Sequence, residues 1–399
     1  APKILVYGAE FAAGIDALTG PDTAMIRQPI DGLDSARTDD GIVPMMADDT
    51  TDTSEAPLLI VYTSGTTGRP KGAVLPQRAM RSNARMSQHA YSLQSSDVVL
   101  NVLPLFHVGG LNIHPVPALI FGATIILHRS FDPTAALNAI GHAGVTLMNS
   151  VPTILGALVT HENWAKTDLS SMRLFSIGST DVPVALISAV HDRQIPVVQI
   201  YGATETAPSA IYQTADIAFE TIGSIGRAGC DNAIRLIGSD GCDVADGMVG
   251  EIWVRGDNVL TGYWQDEVAT RANLTDGWFH TGDMARRDAA GLYWFAGRLK
   301  NVIISGGENI YPTELERLLT GHAGLVEFCV VARDDERWGQ VPVVVAVRRA
   351  ANVTESDILR VFEGVVARFK EPKAVVFVEK LPRNALGKIL AQEVARLIA

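Results

Sequence analysis

The residues best suited to chemistry in this chain lie in one run, Tyr62 to Gly72, which reads Tyr-Thr-Ser-Gly-Thr-Thr-Gly-Arg-Pro-Lys-Gly. Four aliphatic hydroxyls (Thr63, Ser64, Thr66, Thr67) and three glycines (Gly65, Gly68, Gly72) surround Lys71. Glycines let backbone N–H groups fan around an anion, hydroxyls add donors, and Arg69 and Lys71 add charge, so the run has the make-up of a phosphate cradle. The Walker pattern Gly-x-x-x-x-Gly-Lys-Ser/Thr cannot be laid on it in any register. A polar surface turn is the bland alternative, and ordinary turns seldom concentrate hydroxyl, glycine and cation in one short run.

A cradle needs a rigid base, and the apolar run Leu58-Leu59-Ile60-Val61 directly before it reads as a buried strand. Downstream, Pro76 to Ala90 carries helix formers, and Val98 to Leu103 and Thr124 to Leu127 are strand-like. A helix starts at Asp132-Pro133 and runs to His142. Strands at Val145 to Met148, Arg173 to Ile177 and Val197 to Ile200 then alternate with a helix over Pro183 to Arg193. That rhythm predicts a parallel sheet flanked by helices. Between Ile222 and Tyr263 short alternating strands separated by Gly and Asp predict a small β subdomain. After Gly297 come a strand Asn301 to Ser305, the turn Gly306-Gly307 and a helix opened by Pro312 and closed near Gly321. Strands near Val326 to Val331, Val343 to Val347 and Ala374 to Val378, with a helix from Ser356 to Arg368, complete a compact α+β unit.

Length and composition bound what such a chain can do. At 399 residues it suits two or three domains with a large core. With 33 basic and 44 acidic residues the net charge is −11, which opposes general attraction to nucleic acid or an anionic membrane. An anionic substrate must be held by local groups. Cys230, Cys242 and Cys329 are too few and too far apart for a disulfide framework or zinc site, which fits a reducing, cytoplasmic setting. The longest apolar stretch, Pro115 to Leu127, holds two prolines and falls short of the roughly 18 residues of a membrane span. No signal peptide is expected. Residues Gly20 to Glu55, rich in Asp, Thr, Pro and Gly, read as exposed connection.

Several separated segments together resemble the adenylate-forming superfamily, in its acyl- and aryl-CoA synthetase branch, and are similar to fatty-acid-CoA ligases and 4-chlorobenzoate-CoA ligase. Besides the cradle these are Pro104-Leu105-Phe106-His107, Tyr201-Gly202-Ala203-Thr204-Glu205, Thr281-Gly282-Asp283, Gly297-Arg298-Leu299-Lys300, Ser305-Gly306-Gly307-Glu308-Asn309 and Pro382-Arg383-Asn384-Ala385-Leu386-Gly387-Lys388. The resemblance implies a large α/β domain over residues 1–299, with parallel sheets and a small β-barrel-like subdomain, that binds ATP and the carboxylate. A smaller, mobile α+β domain over 300–399 would rotate about a hinge at Lys300. The activity implied is ATP-dependent ligation of a hydrophobic carboxylic acid, fatty or aryl, to CoA through an acyl-AMP, with Mg2+ as cofactor. The resemblance also allows a homodimer.

Joining two anions requires positive groups and N–H donors that neutralise phosphate, orient the carboxylate and stabilise developing charge. By resemblance, Thr63, Ser64, Gly65, Thr66, Thr67, Gly68 and Lys71 hold the β and γ phosphates, and Gly178, Tyr201, Gly202, Asp283 and Arg298 join them around ATP or AMP. Glu205 is the magnesium carboxylate and Thr204 contacts the α-phosphate. Asp283, with Arg298, takes the ribose hydroxyls. Lys388 is the catalytic lysine, in a segment whose mobility would bring it into the site for adenylation. Taken singly these residues would read as a surface Glu, a turn Asp, a surface ion pair and a solvated lysine.

His107, Val108, Gly109, Leu111, Ile177 and Gly202 are the expected walls of the acyl pocket. Histidine at 107, where amino-acid-activating relatives place an Asp, speaks against an amino acid. His114, His128 and His142 read as satisfied core groups. Gly306 and Gly307 would border the pantetheine tunnel, with Trp338 and Phe369 near CoA, although core packing accounts equally well for those two aromatics. The chain departs from the family at Gly178-Ser179-Thr180-Asp181, where relatives often read Gly-Gly-Ala-Pro, and it is expected to lack their first N-terminal segment, its start at Ala1 resembling an excerpt. Two rivals share the fold: an adenylating enzyme that loads a carrier-protein phosphopantetheine arm, and a nucleotide-binding module without catalysis.

Overall fold

The alternating helix and strand signals after Pro76 resolve into one seven-stranded sheet. Its order is Arg227–Ala228, Ile211–Tyr212, Val197–Tyr201, Leu174–Gly178, Leu147–Ser150, Val98–Asn101 and Thr124–Leu127. The last five of these run parallel, and the first two continue antiparallel. Strands covered on both faces need apolar residues in succession rather than alternation. Accordingly, Leu147 and Met148, Leu174 and Phe175, and Val198 and Val197 go to two different buried clusters, one on each side of the sheet. The helix Pro133–His142 starts where its sequence says it should: the Asp132 carboxylate accepts from the Ala135 N–H at 2.7 Å and Pro133 fills the first turn.

The computed structural model describes residues 4–7, 26–29, 54–63, 70–178, 182–383 and 389–398. It divides into two units, Ala1–Asp52 and Thr53–Ala399. In the first, the strands Ile4–Tyr7 and Ile26–Pro29 pair in parallel. All that follows concerns the second unit. Among the described residues no helix is long and apolar enough to cross a membrane.

Ahead of the large sheet lies a three-stranded antiparallel sheet ordered Gly262–Tyr263, Lys71–Pro76, Pro57–Thr63. The strand before the cradle is not buried as its composition predicts: Leu58, Ile60 and Tyr62 are exposed. It is an edge strand with one face on the core, so Val61 is buried while its neighbours at 60 and 62 turn to the other side. The small β subdomain exists and extends further than predicted, to Arg298. It comprises Asn232–Ile237, Val249–Gly256, Trp278–Arg287, Leu274–Thr275 and Tyr293–Arg298.

The final sheet joins Glu308–Ile310, Ile303–Ser305, Gly339–Arg348, Leu325–Asp335 and Ala374–Phe377, with helices Pro312–Leu319, Glu355–Leu359 and Ala391–Arg396. Two local expectations change here. The predicted strand Asn301 to Ser305 begins only at Ile303, because Leu299–Asn301 forms a turn of 3-10 helix. The predicted helix Ser356 to Arg368 is a short helix, Glu355–Leu359. Beyond it three-residue turns follow (Val361 N to Ile358 O, Phe362 N to Leu359 O), and Gly364 at φ +70 leaves the helical region altogether.

Candidate functional site

In a doubly wound sheet, ligands bind beyond the carboxyl ends of the strands, where neighbouring connections diverge. Here Thr124–Leu127 lies on one side of Val98–Asn101 and Leu147–Ser150 on the other, so the divergence falls at that strand, next to the sheet's edge. Gly178 and Tyr201 end two of the parallel strands on the same edge.

The segment leaving Tyr201 is held tightly. A Cβ on Gly202 would sit 1.5 Å from the Pro208 carbonyl oxygen, so only glycine fits. The Thr206 hydroxyl accepts from the Ala203 N–H at 2.9 Å and donates to Pro208 O at 3.0 Å. The Asn258 amide donates to Thr206 O and Ser209 O at 3.1 and 2.8 Å. These bonds set a 3-10 turn, Thr204–Thr206, that presents Glu205. The Tyr263 hydroxyl donates to Glu205 Oε1 at 2.8 Å, and the Leu260 N–H donates to its backbone carbonyl at 2.9 Å. Burial pushes the Glu205 carboxyl above its ordinary value, against the opposing effect of hydrogen bonds from the backbone and Tyr263.

Tyr263 also connects Glu205 to the cradle. It pairs with Ala73 across the three-stranded sheet, and Lys71 Nζ stands 5.2 Å from the centre of its ring. Thr63 and Lys71 are cross-strand partners. Ser64, Gly65, Thr66, Thr67 and Gly68 lie outside the described residues, as does Arg69. Nothing in the sequence links Tyr263 to a glutamate 58 positions away; only the register of the sheet brings them together.

A second carboxylate, Asp283, is buried between two partners. Tyr201 donates its hydroxyl to Asp283 Oδ2 at 3.0 Å, and Arg298 Nε lies 2.9 Å from Oδ1. Asp283 and Arg298 face each other on adjacent strands. Tyr201 thus ties the strand end that leads to Glu205 to the β subdomain that carries Asp283. Burial, followed by the Asp283 charge, pushes the Tyr201 phenol far above its ordinary value, so it stays a donor.

The expected acyl-pocket residues divide. His107 caps the short helix Val108–Leu111, its Nδ1 accepting from the Gly109 N–H at 3.0 Å. Val108 is buried in the same cluster as Tyr201, and Leu111 is half-buried. The Gly109 carbonyl accepts from Asn149 Nδ2 at 2.9 Å, and Asn149 in turn accepts from Ser176 at 2.9 Å, a buried link from this helix to the sheet. Ile177 packs in a separate apolar cluster. Gly178 is needed for close approach, since a Cβ would meet Ile200 O at 2.4 Å. Of the three histidines read as core groups only His114 is buried; burial drops its imidazole to about 3. His128 is half-buried. His142 is exposed at its helix end, beside Asn138 O at 2.9 Å.

In the last sheet, Gly306 and Gly307, at φ +60 and +88, form the turn between Ile303–Ser305 and Glu308–Ile310. The Gly306 N–H donates to Trp338 O at 2.8 Å, and a Cβ there would press on the Trp338 ring at 2.9 Å. Trp338 is largely exposed beside them. Phe369 instead packs on the apolar cluster under the sheet. Lys300 sits exposed in the 3-10 turn between Arg298 and Ile303. The helix Pro312–Leu319 contacts the strand Tyr293–Arg298 of the β subdomain through Thr313 Oγ1 to Ala296 O and Arg317 Nη2 to Phe295 O, at 2.5 and 2.8 Å. Lys388 lies outside the described residues; Arg383 and Ile389, which flank its segment, pair across an antiparallel bridge.

The chain is similar to known proteins in both sequence and fold. Residues 14–264 match the family described as AMP-binding enzyme, and residues 314–388 its C-terminal domain. The chain is 49% identical over 346 residues to the indoleacetate–CoA ligase of Aromatoleum aromaticum, covering 86% of this chain and 68% of that one. It is 39% identical over 395 residues to a feruloyl-CoA synthase of an Amycolatopsis species, covering 99% and 79%. Its fold is similar to that of o-succinylbenzoate CoA synthetase from Bacillus subtilis in complex with the acyl-adenylate intermediate, with a TM-score of 0.86, 29% identity and coverage of 98% and 78%.

Proposed function

The chain belongs to the AMP-binding enzyme family as an ATP-dependent carboxylate–CoA ligase, and we propose that the acid it activates carries an aromatic ring. The names of the two relatives given above, indoleacetate–CoA ligase and feruloyl-CoA synthase, both denote ring-bearing acids, which favours aryl over fatty substrates. The observation that carries the reaction class is the pair of fixed carboxylates: Glu205 held by Tyr263, and Asp283 held by Tyr201 and Arg298.

In the first half-reaction a carboxylate oxygen of the acid attacks the α-phosphorus of ATP, the bond to the β-phosphate oxygen breaks, and pyrophosphate leaves. Lys71 and Thr63, with residues 64 to 68 between them, hold the departing phosphates. Thr204 steadies the α-phosphate. Asp283 accepts from the ribose hydroxyls while Arg298 and Tyr201 fix its orientation, and Gly178 and Gly202 leave room for the nucleotide. The Glu205 carboxylate, fixed by Tyr263, is a hard oxygen donor that would hold Mg2+. When bound, that ion would neutralise charge on the phosphates. Lys388 stabilises the charge that develops as the α-phosphorus is attacked.

In the second half-reaction the CoA thiol, giving up its proton, attacks the acyl carbonyl and AMP leaves. Residues 300–399 form the domain that turns about Lys300 between the two steps, bringing Gly306, Gly307 and Trp338 to the pantetheine arm. Phe369, half-buried against its own domain's apolar cluster, joins them near CoA. His107, Val108, Gly109 and Leu111 wall the acyl site, and Ile177 backs it from the sheet. The test is thioester formation across a panel that sets indole-3-acetate, ferulate and benzoate against straight-chain acids of six to sixteen carbons. The proposal requires higher kcat/KM for at least one ring-bearing acid than for every straight-chain acid; the opposite ranking would refute it.

A further inference from the structure

The strand that carries Asp283 bulges against its neighbour Val249–Gly256. Trp253 pairs with His280 and Glu251 with Met284, so between these pairs the single residue Ile252 faces three, Thr281, Gly282 and Asp283. The strand Trp278–Arg287 must bulge there, and Gly282 takes φ +68 to let it. Extra residues in a bulge lose their ladder partners and need other ones. Glu251 supplies them: its Oε1 accepts from the Gly282 N–H at 2.9 Å and its Oε2 from the Trp253 indole N–H at 3.0 Å. Thr281 completes the support, donating to Ile252 O at 2.7 Å and accepting from the Asp283 N–H at 3.1 Å. The Trp253 and His280 rings stack with centroids 3.8 Å apart and an angle of 14°, closing the bulge at one end. The Asp283 carboxylate emerges from it aimed at Tyr201 and Arg298.

We propose that Glu251 is a positioning residue for nucleotide recognition: by holding the bulge at Gly282, it aims Asp283 at the ribose hydroxyls. This rests on the reading of Asp283 as the ribose contact. A glutamate serving only to stabilise the sheet would affect every nucleotide alike; a positioning residue affects those whose hydroxyls Asp283 reads. The experiment measures binding of AMP, 2′-deoxyAMP and 3′-deoxyAMP to the full chain by isothermal titration calorimetry, for the wild type and for Glu251→Gln, Thr281→Val and Asp283→Asn. Gln can accept only one of the two bonds at Glu251, and Val keeps the volume of Thr281 while removing both of its bonds. Each clamp variant is expected to bind AMP about tenfold more weakly and the deoxynucleotides within about twofold of wild type, so the preference for AMP collapses. Asp283→Asn should lose the same preference. If Asp283→Asn keeps it, the ribose reading fails and the proposal falls with it. If Asp283→Asn loses it while folded Glu251→Gln and Thr281→Val keep it, or weaken all three nucleotides equally, the ribose reading stands and the clamp is refuted. Should Glu251→Gln not fold, Thr281→Val decides alone.

Discussion

Replacing Tyr263 by Phe removes one oxygen and little else. The ring stays in its buried cluster and under Lys71, while the 2.8 Å bond to Glu205 Oε1 disappears. A hydrogen bond to a charged partner is worth about 1.5–3 kcal/mol, and that is the expected loss of stability near neutral pH. The sign of its pH dependence follows from Glu205. Burial raises this carboxyl, and the Tyr263 bond opposes the rise. A carboxyl whose folded value is raised contributes fully to stability below its unfolded value, and that contribution is lost as pH climbs through the folded value. Removing the hydroxyl raises the folded value further, so the variant's deficit widens at neutral pH and narrows in acid. Urea unfolding of the ligand-free chain, followed by tryptophan fluorescence at about pH 7.5 and about pH 5, measures both. An equal deficit at the two pH values, or one below about 0.5 kcal/mol at the higher, would refute the assignment of this bond to an ionised Glu205.

Two further perturbations probe the scaffold and the chemistry. Asp97 is fully buried and Arg173 binds both its oxygens, at 2.6 and 2.7 Å; Arg173→Ala strands the carboxylate and should destabilise the chain by about 3–5 kcal/mol in urea unfolding, whereas a loss under about 1 kcal/mol would show that Thr146 and the Gln94 N–H suffice to hold it. Lys388→Ala should slow acid-dependent ATP–pyrophosphate exchange at least a hundredfold, on the order of one electrostatic transition-state contact, yet leave thioester formation from supplied acyl-adenylate near the wild-type rate; equal loss in both steps would contradict its role.

The sequence made the architecture and the chemistry legible for different reasons. Buried parallel strands announce themselves through unbroken apolar runs, and the pieces from Val98 to Tyr201 appear close to where composition places them. Edge behaviour is invisible to the same signal: Leu58-Leu59-Ile60-Val61 is as apolar as a central strand, and only its place at the end of a three-stranded sheet exposes Leu58 and Ile60. The helix expected to reach Arg368 ends at Leu359, where the backbone tightens into three-residue turns that apolar periodicity does not register, before Gly364 leaves helical φ. Motif segments single out Glu205, Asp283 and Arg298 as candidates, since each lies in a short local pattern. Their supports do not show there: Tyr263 and Glu251 act across 58 and 31 positions, through sheet register and hydrogen bonds.

The central claim is that the chain joins an aromatic acid to CoA by way of its adenylate. Incubating it with ATP, Mg2+, CoA and indole-3-acetate, and quantifying nucleotides and thioester together, tests this most directly. AMP and indoleacetyl-CoA formed in equal amounts, both dependent on the acid, are expected. ADP as the nucleotide product, or AMP release that ignores acids from the whole aryl and straight-chain panel, would contradict it.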